Sequence, residues 1–355
     1  MYFSIEPKAK RSDLFGMSYQ LDLLKKYLLD ADARMIVIKG LRRTGKTSLL
    51  NVALNETSIE SVKIDVREAP FYNRREFIIF LIKKIKEKDD SLIKKIVEKI
   101  AGIKLKYKEV SIELLFNQEE NINLFFSNLN SELKKENKRL ILAFDEAQLL
   151  TAINFDFFLA SIFDNYKNIK LLLTGSEIGL LDNLLGRLNY EAPLFGRAYL
   201  EIEITKIKEE GIRKFLEEGF KQINKKIEFE EMREVIENLD GIMGWATYYG
   251  WFRHKGFSHQ KALEKVKEEG KGIIKREIEN FLSNRKAKVK YLKLINYIAK
   301  GSNTWELLKQ AFRKDNLNVS DSQLNLYLKE LINFGFIEKL SEKYFISDPL
   351  LSVSR

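Results

Sequence analysis

Short apolar runs separated by stretches of helical period fill residues 35 to 204 of the 355-residue chain. Met35-Ile36-Val37-Ile38 is one such run, segments 140–144 and 169–174 are largely apolar, and segments 61–66 and 198–204 read as two further strands. Continuous apolar runs of this length read as buried strands of a parallel sheet. Between them, apolar residues recur three and four positions apart, which predicts helices; segment 73–138 is the longest and is rich in lysine. Strands alternating with helices imply right-handed crossovers and a sheet covered on both faces. After residue 204 the strand signal stops. Thr205 reads as a helix N-cap, and helices are expected at 210–222, 228–239, 244–254 and 259–284, broken by Gly241 and Gly244. Beyond Arg285-Lys286-Ala287-Lys288, helices at 289–299, 304–312 and 320–333 precede Phe336-Ile337 and Tyr344-Phe345-Ile346, joined through Leu340-Ser341-Glu342-Lys343. Three short helices and a β-hairpin are the parts of a winged helix. The expected division is an α/β core at 1–204, an all-helical unit at 205–285 and a winged helix at 286–355.

Composition narrows the chemistry. With no cysteine, disulfides, thiolate nucleophiles and Cys-based zinc sites are excluded, and His254 and His259 are too few for a His-rich metal centre. No apolar run approaches a membrane span, and residues 1–8 lack the charged-then-apolar layout of a signal peptide, so a cytoplasmic location is expected. A net charge of +10 suits an acidic partner such as nucleic acid, yet the lysines are scattered through most helices, as on ordinary solvated faces.

One segment fixes a ligand class. Gly40-Leu41-Arg42-Arg43-Thr44-Gly45-Lys46-Thr47 is a complete G-x-x-x-x-G-K-[ST] loop between a strand and a helix that opens with Ser48. Its glycines let successive N–H groups curl around an anion; Lys46 would reach the β- and γ-phosphates, and the Thr47 hydroxyl would ligate Mg²⁺. A second segment, Leu140-Ile141-Leu142-Ala143-Phe144-Asp145-Glu146, is a strand ending in two carboxylates. A buried strand would hold Asp145 beside the loop, where it would hold Mg²⁺ through its water shell, and Glu146 would polarise an attacking water. The pair favours ATP hydrolysis over phosphotransfer to a substrate hydroxyl, and a topology with one strand between the loop strand and the Asp strand. Thr174, with Ser176 second, is a candidate to sense the γ-phosphate or position the water; Ser176 reads equally well as an N-cap for 177–185. Arg197, just before the fifth strand, reads as an arginine finger acting in cis or across a subunit interface, or as a plain surface ion pair.

These motifs, together with Phe144-Asp145-Glu146-Ala147-Gln148, Leu173-Thr174-Gly175-Ser176, Pro193-Leu194-Phe195-Gly196-Arg197 and Ile346-Ser347-Asp348-Pro349-Leu350, resemble the archaeal ATPase family. That family belongs to the AAA+/STAND P-loop ATPases and is similar to archaeal origin-recognition initiators. The resemblance spans nearly the whole chain. It implies a P-loop NTPase αβα core of about five strands, a helical lid and a C-terminal winged helix, with ATP or ADP and Mg²⁺ as ligands. It also implies that Leu14, Phe15 and Gly16 match an N-terminal Phe-Gly-Arg-Glu segment near the adenine, with Met17-Ser18 in place of Arg-Glu. Asp240 to Trp245 resembles the lid's Gly-x-Pro element, with Met243 where proline is usual and an apolar contact to the adenine expected there.

The leading functional expectation is a nucleotide-driven switch that hydrolyses ATP and moves its lid and winged helix. The alternative is a DNA-binding winged helix in which nucleotide is structural. Segment 286–355 carries 12 basic against 7 acidic residues, but the candidate recognition helix, 320–334, is net acidic; Gln323 and Asn325 could meet base edges, but it has no arginine. Double-stranded DNA, a protein partner or a second copy of the chain all remain open as partners. A helicase, suggested by Asp145-Glu146-Ala147-Gln148, would need a second strand–helix series, which residues 205–355 lack.

Overall fold

β1 (Met35–Gly40), β2 (Glu60–Asp65), β3 (Leu140–Asp145), β4 (Ile169–Gly175) and β5 (Leu200–Ile204) form one parallel sheet in the order β2-β3-β4-β1-β5. The structure is a computed structural model that describes residues 1–69, 73–89, 95–96, 118–187 and 189–351. The order places β4 between the loop strand and the Asp strand, as the Asp-Glu pair predicts. Every residue of β3 and β4 is buried, which explains why these runs are mostly apolar instead of alternating, with Asp145, Lys170 and Thr174 the polar exceptions.

The pleat divides the core. Ile36, Ile38, Ile141, Ala143, Leu172 and Ile202 face α1 (Ser18–Leu29) and α2 (Lys46–Glu56). Val37, Leu142, Phe144, Leu171 and Leu173 face α3 (Arg74–Lys88), α4 (Glu119–Lys135), α5 (Asp156–Asn165) and α6 (Ile178–Leu184). α3 and α4 are the described parts of the long lysine-rich segment; 90–94 and 97–117 lie outside the described residues.

After the sheet come α7 (Glu209–Gln222), α8 (Phe229–Leu239), α9 (Met243–His254) and α10 (His259–Leu282). The expected N-cap at Thr205 is not made. The chain stays irregular to Lys208 because the Ile207 N–H donates to Gly241 O at 3.0 Å, tying this linker to the start of α9 instead of to a helical turn. α11 (Lys288–Ala299), α12 (Trp305–Lys314) and α13 (Asp321–Asn333) precede the hairpin of β6 (Ile337–Leu340) and β7 (Lys343–Ile346). Ser258, Thr304 and Ser320 cap α10, α12 and α13, each accepting an N–H from three residues on at 3.2 to 3.4 Å. Buried side chains of α7–α13 and the hairpin, with Phe3, form one continuous apolar cluster. No helix among the described residues is long and apolar enough to cross a membrane.

Candidate nucleotide-binding and hydrolysis site

The segment from Gly40 to Thr47 closes over the carboxyl edge of the sheet. Arg43 and Gly45 both have positive φ, 64° and 99°, the curl that turns a loop's N–H groups inward. Thr44 Oγ1 donates to Leu41 O at 2.8 Å and Lys46 Nζ to the same oxygen at 2.7 Å, so the loop is braced from inside. Lys46 is almost fully buried, and that burial pushes its ammonium down to about 8, although Glu146 and Asp145 pull the other way. A deeply buried lysine aimed into an N–H-lined loop suits a phosphate chain, which would restore a full charge partner.

Asp145, fully buried at the end of β3, accepts from Thr47 Oγ1 at 2.8 Å and from the Thr174 hydroxyl. Two hard oxygen donors at the foot of the loop fit Mg²⁺, which takes one or two protein oxygens beside substrate phosphates and waters. Glu146 follows in a left-handed conformation, φ 59°, which turns its carboxylate away from Asp145. Its Oε2 accepts from Ser176 Oγ at 2.6 Å and from Gln148 Nε2 at 2.7 Å. Burial alone would push this carboxyl up, but Lys46, these two donors and Arg67 outweigh it and hold Glu146 below the usual carboxylate range.

A cavity of about 880 Å³ opens above the loop. Arg42, Arg43, Gly45, Lys46, Thr47, Ser48, Glu146 and Ser176 line its floor, while Leu14, Phe15 and Met243 line its walls. Most of the expected residues are thus gathered in one place. Gly40 ends β1 beneath the loop, and Gly16 continues the Leu14-Phe15 wall in a left-handed turn. Thr174 touches Asp145 and the Glu146 N–H (3.3 Å), not the cavity surface. Ser176 does not cap α6; its hydroxyl is taken by Glu146. Arg197 is not brought to the site. It sits at the amino edge of the sheet, ahead of Leu200, where it pairs with Asp164 and the Pro193 carbonyl. The loop lies at the opposite edge, so a finger in cis is incompatible with this placement and the ion-pair alternative describes what the side chain does.

Arg42 and Arg43 were expected in the loop, but their partners were not legible in the sequence, and Glu277, Asp348 and Arg67 were missed. Arg42 donates to Phe334 O at 2.7 Å and pairs with Glu177; Arg43 pairs with Glu277 at 2.5 Å and Asp348 at 3.4 Å and lies 4.5 Å over the Trp245 ring. Trp245 Nε1 in turn lies 3.0 Å from both Asp348 oxygens. Gly244 permits this closeness: its N–H donates to Arg43 O at 2.9 Å, and a Cβ there would come within 2.7 Å of the arginine's own Cβ. No sequence signal pairs Glu277 with the loop. Arg67 could have been flagged, because it lies just past a strand's carboxyl end, where ligands of such sheets bind.

Sheet order, phosphate loop and paired carboxylates define a P-loop NTPase of the ATPase type. The model of the ATPase domain predominantly from Archaea matches residues 19–245, and the chain belongs to that family. The C-terminal winged helix-turn-helix domain of MCM proteins matches residues 285–347. Over 129 residues the chain is 38% identical to an uncharacterised ATP-binding protein of Methanocaldococcus jannaschii, a match covering 32% of this chain and 33% of that one. Among solved structures, a Walker-type ATPase of Pyrococcus abyssi is 28% identical, with a TM-score of 0.80 and coverage of 99% and 98% of the two chains. The Aeropyrum pernix ORC2 protein, solved in ADPNP–ADP complexes, shares the fold at 15% identity and a TM-score of 0.62, covering 98% and 93%.

Proposed function

We propose that this protein is an ATP-driven switch that binds ATP in the cavity above Gly40–Thr47, hydrolyses it, and passes the change to its helical and winged-helix parts. The observation that supports this best is the pair of loop arginines. Arg42 and Arg43 sit inside the phosphate loop, yet their guanidinium groups hold Phe334, at the end of α13, Glu277 in α10 and Asp348 after β7. A phosphate that reshapes the loop therefore pulls directly on all three elements.

In this reading Lys46 and the loop N–H groups bind the phosphates, and Leu14, Phe15, Gly16 and Met243 enclose the base. Thr47 and Asp145 would hold Mg²⁺, which would neutralise phosphate charge when bound, and Thr174 fixes the Asp145 carboxylate. A water attacks the γ-phosphorus, a new P–O bond forms as the bond to the β-phosphate oxygen breaks, and ADP leaves. Glu146 accepts the water's proton once Ser176 and Gln148 yield its oxygen.

Lys46→Ala is expected to lose tight nucleotide binding, whereas Glu146→Gln keeps binding and loses hydrolysis. Hydrolysis at the parental rate by Glu146→Gln would overturn the base assignment. A protease-digestion pattern and scattering profile identical with ATP, with ADP and without nucleotide would overturn the switch. The DNA-binding alternative has weaker support from α13: Asn325 already accepts from Trp305 Nε1 at 2.9 Å, and the Asn333 end packs against α6. Salt-dependent binding to duplex DNA would restore it.

A further inference from the structure

Resting on the ATP-hydrolysis reading, Arg67 is a cation of the cavity that stands on the side of the two carboxylates. Arg67 lies on the single turn Val66–Glu68 that follows β2. β2 and β3 pair with Asp65 opposite Asp145, so Arg67 stands just past the register of the two carboxylates, on the edge where the phosphate loop lies. Its side chain lines the cavity together with Lys46, Thr47, Glu146 and Gln148.

The guanidinium is aimed, not loose. Asp65 Oδ1 accepts from Arg67 Nε at 2.9 Å and from its backbone N–H at 3.0 Å, and Oδ2 accepts from Nη2 at 2.5 Å. This fork uses one side of the planar group. Among the described residues Nη1 has no hydrogen-bond partner, and the side chain is 58% exposed. The charge is felt across the cleft: Arg67 helps hold Glu146 low, while Glu146 and Asp145 help hold Arg67 high, behind its pairing with Asp65.

The other arginines near the site are spoken for. Arg42 and Arg43 are held by α10, the end of α13 and Asp348, Arg285 by Glu330 at 2.7 Å and the Phe281 carbonyl, and Arg197 is at the far edge of the sheet. Lys63, 3.9 Å from Asp145, gives its ammonium to Asn51 at 2.7 Å and does not line the cavity. Phosphoryl transfer spreads negative charge over the equatorial oxygens, and Lys46 meets it from the loop side only. A planar donor on the Glu146 side supplies the complementary charge.

We propose that Arg67 is a catalytic residue supplied in cis, whose free Nη1 edge binds the γ-phosphate of ATP and stabilises the charge that develops as the γ-phosphoryl group is transferred to water. Asp65 acts as its positioning residue.

The test measures equilibrium binding of ATP and ADP, each with Mg²⁺, to the full chain carrying Glu146→Gln, with and without Arg67→Ala or Arg67→Gln. A contact to the γ-phosphate predicts about tenfold or greater weakening for ATP with ADP affinity unchanged, as expected for one charge-assisted bond. Arg67→Lys should recover part of the ATP affinity. Equal losses for ATP and ADP, with a lowered melting temperature, would show that Arg67 only braces the turn at Asp65. No change for either nucleotide would equally overturn the proposal. Should Arg67→Ala misfold, Arg67→Gln, which keeps a donor for Asp65, is read by the same ATP-to-ADP ratio. If the parent chain turns over no ATP, the hydrolysis reading fails on its own, while that ratio still decides whether Arg67 meets the γ-phosphate.

Discussion

At Lys170 an ammonium group lies buried at the start of β4, donating to the backbone oxygens of Tyr27, Leu28 and Asp30 at 2.8, 2.7 and 2.7 Å. These carbonyls end α1, so a single lysine satisfies groups that the helix itself leaves unpaired. Burial pushes the ammonium down to about 8; Arg139 adds to this and Asp30 opposes it. An unfolded lysine titrates near 10.5, so between pH 8 and 10.5 the unfolded chain binds more protons and this group's contribution to stability rises with pH. Urea denaturation should therefore show the wild type gaining on Lys170→Met across that window; a constant difference would contradict the burial argument. Individual residues divide sharply in how far the sequence shows their work. Lys46, Thr47, Asp145 and Glu146 were legible because a short continuous motif carries their chemistry. Glu277 was not, because the loop arginine it pairs with lies more than 200 residues away, and Arg67 meets the two carboxylates only through the pairing of β2 with β3.

Among the elements, α7 and α9 show a fit that periodicity could not reveal. Phe3 is fully buried, its ring edge-on to Phe215 and Phe220 at 5.5 and 5.4 Å, over Gly219 and Gly250. A Cβ at those two positions would come within 2.3 and 2.1 Å of the ring. Gly250→Ala should then cost about 1–3 kcal/mol by overpacking, and Phe3→Ala about 3–5 kcal/mol by leaving a cavity. The double variant should lose clearly less than the sum, since the added methyl occupies part of the vacated space; strict additivity in chemical denaturation would refute the contact. The helices themselves were readable from their apolar spacing, and β1, β3 and β4 from their mostly apolar runs. Thr205 misled because a good capping residue matters only where the chain turns helical. Here the bond from Ile207 to Gly241 holds it extended.

For the whole molecule, the decisive junction is Asp348. It lies beyond the winged-helix hairpin, yet it touches the phosphate loop through Arg43 and α9 through Trp245. Asp348→Ala should weaken nucleotide binding only slightly while making segment 285–288 more protease-sensitive and reducing any difference in scattering between ATP- and ADP-bound forms. An unchanged difference would mean that the coupling runs elsewhere. The expected cut between a helical unit and a winged helix near residue 285 meets one apolar cluster shared by both sides, which no linker composition could reveal. By itself the sequence determined the ligand class, the αβα layering and the order of elements. Each of these depends on contiguous residues: a loop that must cradle an anion, runs that must be buried, and spacing that must match a helix. Only the tertiary structure decided that Arg197 faces away, that Ser176 holds Glu146, and that Arg42, Arg43 and Arg67 have different partners. Charged side chains of the same type are interchangeable in a sequence pattern and acquire their roles from sheet register and from which distant carboxylate meets them.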